Sequence, residues 1–227
     1  HIFMGFPTRY VARPLTEHVK KLDPVPLRTL LTSVYERVGT DLTDGLFMAS
    51  RDGVSFHRWD EAFLRPGPQK EGRWVYGDMY QSYGLFETSA ETSGAPDELS
   101  MHFNEGSWRD EEHRLRRYTI RLDGFVSINA PYAGGEVITQ PLIFDGKTLE
   151  VNYATSAAGS LKIELQDTNG IAYPGFALAD ADEQYGDSVA HSVTWQNQSD
   201  VSSLSGKPVR LRIVLSDGDL YSFRFVP

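Results

Sequence analysis

Alternation of apolar and polar side chains dominates the second half of the chain. Leu149, Val151 and Tyr153 alternate with Glu150 and Asn152, and Leu161, Ile163 and Leu165 alternate with Lys162, Glu164 and Gln166. Val189, Val193 and Trp195 are interleaved with Ser192 and Thr194. Val209, Leu211, Ile213 and Leu215 face one way while Arg210 and Arg212 face the other, and Asp217-Gly218 turns the chain into a strand with Tyr221, Phe223 and Phe225 inward. Ile120, Leu122, Val126 and Ile128 read as a further strand, and Asn169-Gly170 as a hairpin turn. A period of two marks strands with one dry and one wet face, and antiparallel sheets packed across one core satisfy it. An antiparallel β-sandwich is therefore expected over residues 122–227.

Residues 1–121 are more interrupted. Residues 1–12 read as a strand, followed by the one convincing helix, opened at Asp23-Pro24 and closed at Gly39. Its stripe at the helical period is Leu27, Leu30, Leu31, Val34, Tyr35 and Val38. From Leu46 the period returns to two: Leu46–Ala49 and Phe56–Trp59 flank a turn at Asp52-Gly53, and short strands follow at Trp74–Tyr76, Tyr83–Glu87 and Leu99–Phe103. The Asp-Gly pairs beginning at Asp44, Asp52, Asp123, Asp145 and Asp217 read as hairpin turns. The predicted fold class is all-β.

Composition narrows the function. The formal net charge of −9 disfavours nucleic acid and anionic membranes, which select basic patches. No apolar run approaches the ~20 residues of a membrane span. The absence of cysteine excludes disulfides, thiolate nucleophiles and cysteine-ligated zinc. The histidines lack metal-ligand spacing, and neither a phosphate-binding glycine loop nor a Gly-x-Ser-x-Gly elbow occurs. The start, His1-Ile2-Phe3-Met4-Gly5-Phe6, is already strand-like, so the chain reads as the C-terminal piece of a longer protein.

Ser50-Arg51-Asp52-Gly53-Val54-Ser55-Phe56-His57-Arg58-Trp59 resembles the Asp-box hairpin of β-propellers, in which Ser and Asp bind the backbone of a tight turn. There Asp52 would be architectural, closing an Asx-turn with Gly53 at positive φ. The wider stretch Asp44–Gly53 is similar to bacterial five-bladed-propeller glycoside hydrolases of the family 32 and 43 type. So are Arg117–Ser127, Gly206–Arg212 and Asp219–Phe225. The resemblance covers nearly the whole chain but only the C-terminal portion of those proteins. It implies partial β-propeller blades with one helix over residues 1–121, an appended sandwich, and a secreted or periplasmic protein. It further implies that a carboxylate pair cleaves a glycosidic bond in the full-length protein. The catalytic acids of such hydrolases come largely from early blades, so this portion alone is expected to be inactive.

Glycoside hydrolysis uses two carboxylates ~5–9 Å apart. Among Asp41, Asp44, Glu87, Glu98 and Glu105, the strand-end acids Asp44 and Glu87 are the best catalytic candidates, against the plainer reading of exposed acids. Sugar rings present apolar C–H faces to aromatics, which makes Trp74, Tyr80 and Tyr83, with Arg51 and His57, the candidate substrate-binding residues; the alternative for these aromatics is packing. Asp180, Asp182, Glu183 and Asp187 gather enough oxygen for Ca²⁺, with an acidic hydrated loop as the commoner explanation, and no other cofactor is expected. The rival functions are a non-catalytic carbohydrate-binding module and a purely structural sandwich. Open blade flanks predict a homo-oligomer through residues 1–121.

Overall fold

The computed structural model of the chain describes residues 2–41, 43–68, 79–106 and 113–227. Strand occupies 44% of the described residues and helix 10%, so the fold class is all-β, as the alternation predicts. The chain divides into two compact units, residues 1–89 with 98–120 and residues 90–97 with 121–227.

The first unit is assembled from short antiparallel pieces. β1 (Phe3–Gly5) and β2 (Thr8–Arg9) open it, with Phe6-Pro7 breaking the expected single strand. A helical segment follows as α1 (Val25–Val34) and α2 (Glu36–Thr40), interrupted at Tyr35, whose backbone is extended. Next come β3 (Asp44–Gly45), β4 (Met48–Ser50) and β5 (His57–Arg58). β6 (Tyr80–Gln81), β7 (Phe86–Thr88), β8 (Glu98–Glu105) and β9 (Arg114–Arg121) complete the unit. They pair as β1-β4-β5, as β2-β3, and as a third sheet in which β8 bonds β6, β7 and β9. The strand expected at Trp74–Tyr76 lies outside the described residues. Asp44-Gly45 is strand rather than turn, because each residue pairs across to β2.

The helical stripe is not the buried face. Leu30, Val34 and Tyr35 are exposed, whereas Arg28 is buried. Its guanidinium donates to the carbonyls of Leu22 and Gly39, and burial lowers its pKa. Gly39 does not end a helix; it lies inside α2, where an added Cβ would fall 2.2 Å from Cγ2 of Thr32 on α1. The two helices thus meet through a glycine and a bonded arginine rather than through leucine packing.

The second unit is one six-stranded sheet built around two nineteen-residue strands. It contains β10 (Ile128–Ala130), β11 (Gly135–Ile138), β12 (Leu142–Ile143), β13 (Thr148–Gln166), β14 (Asp187–Ser192) and β15 (Pro208–Val226). β13 lies between β14 and β15, and β10, β11 and β12 all pair with β15. At ~3.3 Å per residue a straight strand of this length would span ~60 Å. Instead the sheet curls into a half-barrel. Pairing jumps from Thr155↔Gly218 to Ser160↔Ser216, leaving Ser156, Ala157 and Ala158 exposed outside the ladder. The strands approach so closely at this bend that a Cβ on Gly159 would lie 2.6 Å from the carbonyl oxygens of Ser216 and Asp217, and one on Gly218 would lie 2.6 Å from that of Ala154. Asp217-Gly218 therefore marks a bend within one strand, not a turn between two.

Curling brings the dry faces of both halves together. Leu149, Val151, Leu161, Ile163, Leu165, Val193, Val209, Leu211, Ile213 and Leu215 form one buried cluster with Tyr153 and Trp195. Each buried aromatic satisfies its polar end: Trp195 donates to the Ile163 carbonyl at 2.8 Å, and the Tyr153 hydroxyl donates to that of Tyr185 at 2.9 Å. The alternation slips once more near the end. Asn152 pairs with Ser222 and Tyr153 with Leu220, so Tyr221 is a bulge residue. Leu220 points inward, Phe223 and Phe225 pack on the core, and Tyr221 lies beneath the Arg121 guanidinium at 4.3 Å. Upstream, β9 ends at Arg121 and the chain turns at Asp123-Gly124, so the expected strand is split: Val126 is exposed outside any strand and Ile128 is exposed at the start of β10.

Candidate cleft in the first unit

Arg9 and Asp44 face each other across the β2-β3 pair. Cross-strand partners project on the same side of a sheet, and these two form a bidentate ion pair: Nε to Oδ1 at 2.9 Å and Nη2 to Oδ2 at 2.6 Å. The third nitrogen of the fork, Nη1, donates to the Asp60 carbonyl at 2.7 Å. Hydrogen bonding to Asp44 raises the pKa of Arg9. On the other side of β3, the Gly45 amide donates to Leu64, and the Phe63 and Leu64 amides donate back to Gly45. That clamp brings Arg65, Pro66 and Gly67 beside Thr43 and Asp44. Packing of Phe6, Phe47 and Phe63, with Trp59 stacked on Phe47 at 5.2 Å, holds the same segments together.

The result is a cleft of about 580 Å³ lined by Arg9, Val11, Arg13, Thr43, Asp44, Arg65, Pro66 and Gly67. Three guanidinium groups face one carboxylate in it. Arg65 makes no hydrogen bond or ion pair, and Arg13 bonds only the carbonyl of Ala12, among the described residues.

Of the described residues singled out from the sequence, Asp44 alone lines this cleft. Glu87 is exposed on β7, paired with Leu99. Arg51 is exposed in the Asp-box-like turn, and His57, also exposed, meets Trp59 edge-on at 4.5 Å. Tyr80 is half-buried on β6, Tyr83 is 97% exposed, and Trp74 lies outside the described residues. Sequence reasoning passed over Arg9, Arg13 and Arg65. The available signal was isolated arginines next to Pro or strand residues in an acidic chain.

The remaining acids have separate duties. Asp52 closes its turn: Oδ1 accepts from the Ser55 amide at 2.7 Å, the Val54 amide at 2.8 Å and the Ser50 hydroxyl at 2.8 Å. These bonds hold its carboxyl well below the usual range, the two backbone donors most strongly. Glu105 is buried and receives Arg114 at 3.0 Å, Arg116 at 2.8 Å and the Tyr118 hydroxyl. Asp41 is fully buried and lies beside Tyr10, whose pKa is raised first by burial and then by its interaction with this carboxylate.

Asp180, Asp182 and Asp187 do not converge. Gln196 binds Asp180 at 2.7 Å, Thr194 binds Asp182 at 2.6 Å, and Arg121 pairs with Asp187 at 2.8 Å. No group of three or more metal-binding side chains occurs among the described residues. No helix among them is long and apolar enough to cross a membrane. Comparison with family models, with curated proteins and with solved structures gives no match for the chain.

Proposed function

We propose that the Arg9–Asp44 cleft binds a saccharide, and that the chain is the carbohydrate-recognising C-terminal portion of a glycoside-hydrolase-like protein, inactive on its own. The observation that carries this reading is the lining: a guanidinium–carboxylate pair of fixed geometry beside Val11 and Pro66. Planar charged groups exchange hydrogen bonds with sugar hydroxyls, and apolar side chains receive the C–H faces of the ring. The Asp-box-like turn and the resemblance to propeller hydrolases favour the same ligand class.

Cleavage would need a second carboxylate ~5–9 Å from the first. Asp44 is the one acid lining the cleft among the described residues, and it is committed to Arg9. Recognition by the second unit is less favoured, since Tyr153 and Trp195 are inside its core and Tyr221 is covered by Arg121.

A glycan array followed by titration calorimetry on the whole chain tests the reading. The expected result is binding to at least one oligosaccharide class, weakened about tenfold or more by Asp44→Ala, because Arg9 loses its orientation. Absence of any oligosaccharide binding sinks the proposal, and so does binding indifferent to that substitution. Release of reducing ends that Asp44→Asn abolishes would replace it with hydrolysis.

A further inference from the structure

The charge balance of the cleft is unlike that of the rest of the molecule. Acids outnumber lysine and arginine 31 to 22 in the chain, and six arginines outside the cleft pair with carboxylates. Arg58 pairs with Asp60, Arg114 and Arg116 with Glu105, Arg121 with Asp187, Arg212 with Glu136, and Arg224 with Glu150. Within the cleft Arg9 alone is neutralised among the described residues. Arg13 and Arg65 are exposed, line the same concavity, and have no acidic partner among the described residues. Two uncompensated guanidinium groups in a protein with abundant carboxylates leave an excess of positive charge at one concave site. A bound anion would give these two the kind of partner that the six paired arginines have.

Building on the saccharide reading of this cleft, we infer that its ligand is an acidic sugar whose ring carboxylate is taken by Arg13 and Arg65. A guanidinium fork matches the two oxygens of a planar carboxylate, as Arg9 already does with Asp44. In such a complex the Arg9–Asp44 pair would meet ring hydroxyls, while Val11 and Pro66 supply the apolar contact. Because both free arginines are exposed, the attraction is open to screening at a Debye length of about 8 Å in physiological salt. Binding should therefore weaken as salt rises, which recognition of a neutral sugar would not.

Titration of the whole chain with trigalacturonate and trimannuronate, with their methyl esters, with a sulfated trisaccharide and with inorganic sulfate separates the outcomes. The expected result is that a uronate binds at least tenfold more tightly than its own ester, which keeps the ring and loses the charge. Arg65→Ala and Arg13→Ala should each erase most of that preference, about tenfold, while Arg65→Lys restores part of it. Lys207→Ala, an exposed cation of the second unit, should leave it unchanged. Ester and acid binding equally, both lost in Asp44→Ala, overturns the acidic-sugar inference and leaves the saccharide reading standing. Preference for the sulfated sugar, or sulfate alone competing as strongly as the uronate, overturns the choice of carboxylate. Failure of every saccharide to bind overturns both.

Discussion

Asp52 shows how much of a turn one carboxylate can organise. A single oxygen accepts two backbone amides and the Ser50 hydroxyl, and Ser50 in turn accepts the amides of Asp52 and Gly53. Gly53 completes the turn with φ of +73°. Since the folded pKa is depressed, the carboxylate's stabilisation is present above its ordinary value near 3.8 and fades as pH falls toward the lowered value. Asp52→Ala should lower the melting temperature at pH 7, and the gap between variant and parent should close on acidification through that window. An equal gap at pH 7 and pH 2.5 by thermal scanning calorimetry would refute the assignment. This role was legible from Ser-x-Asp-Gly alone, because every partner is local. The Arg9–Asp44 pair was only half legible: Asp44 stood out as a strand-end acid, but its partner is 35 positions away and is chosen by strand pairing. Arg13 and Arg65 gave still less, since their importance lies in having no carboxylate opposite them among the described residues, and no sequence pattern records that.

At the level of elements, period-two patterning placed the core correctly wherever the ladder is regular. Leu161, Ile163, Leu165, Leu211 and Ile213 are all buried, as their alternation requires. It failed where the ladder slips. On β15 the bend near Gly218 and the bulge at Tyr221 each change which parity faces inward, from Leu215 to Leu220 and from Leu220 to Phe223, while β13 keeps its odd positions inward across the bend; neither change leaves a polarity signature. The helix failed for a different reason: its interior face is defined by Arg28 bonded to two carbonyls, which a hydrophobic count scores as solvent-facing. The bend is where glycine matters most. Gly159→Ala should cost about 1–3 kcal/mol, because the added methyl meets backbone oxygens rather than a movable side chain. Gly135→Ala on β11 should be nearly silent, its nearest neighbour being the Ala130 methyl at 3.9 Å. Urea denaturation of both variants measures the difference, and equal midpoints would show that the curl does not depend on close approach at Gly159.

Across the molecule, apolar burial is distributed unevenly. The second unit has one continuous core to which β10, β11, β12, β13 and β15 contribute. Among the described residues of the first unit, Leu46, Phe47, Met79, Met101 and Phe103 are the buried apolar ones, while Ile2, Phe3, Leu30, Val34, Tyr35, Val54 and Tyr83 are exposed. Each fully buried large side chain contributes roughly 1.5–3 kcal/mol, so the two units should differ in resistance to unfolding. Calorimetry should resolve two transitions, and hydrogen exchange should be slowest in β13 and β15. One sharp transition with uniform exchange would contradict this. The exposed apolar side chains of the first unit also make self-association through residues 1–121 the expected behaviour at high concentration. Sedimentation velocity across a dilution series checks it: a single concentration-independent monomer peak would set that expectation aside.

The detour at Ser156–Gly159 has a consequence for altering the length of the chain. From Ser160 to Gln166 seven successive rungs tie β13 to β15, and Leu161, Ile163 and Leu165 all face inward. One residue inserted there would send that set to the wet side and bring Lys162 and Glu164 in. Between Ser156 and Ala158 the backbone already loops free of its partner, so an extra residue would be accommodated without disturbing a single rung. The place where the sheet folds over is thus also where the unit can accept an inserted tag or reporter.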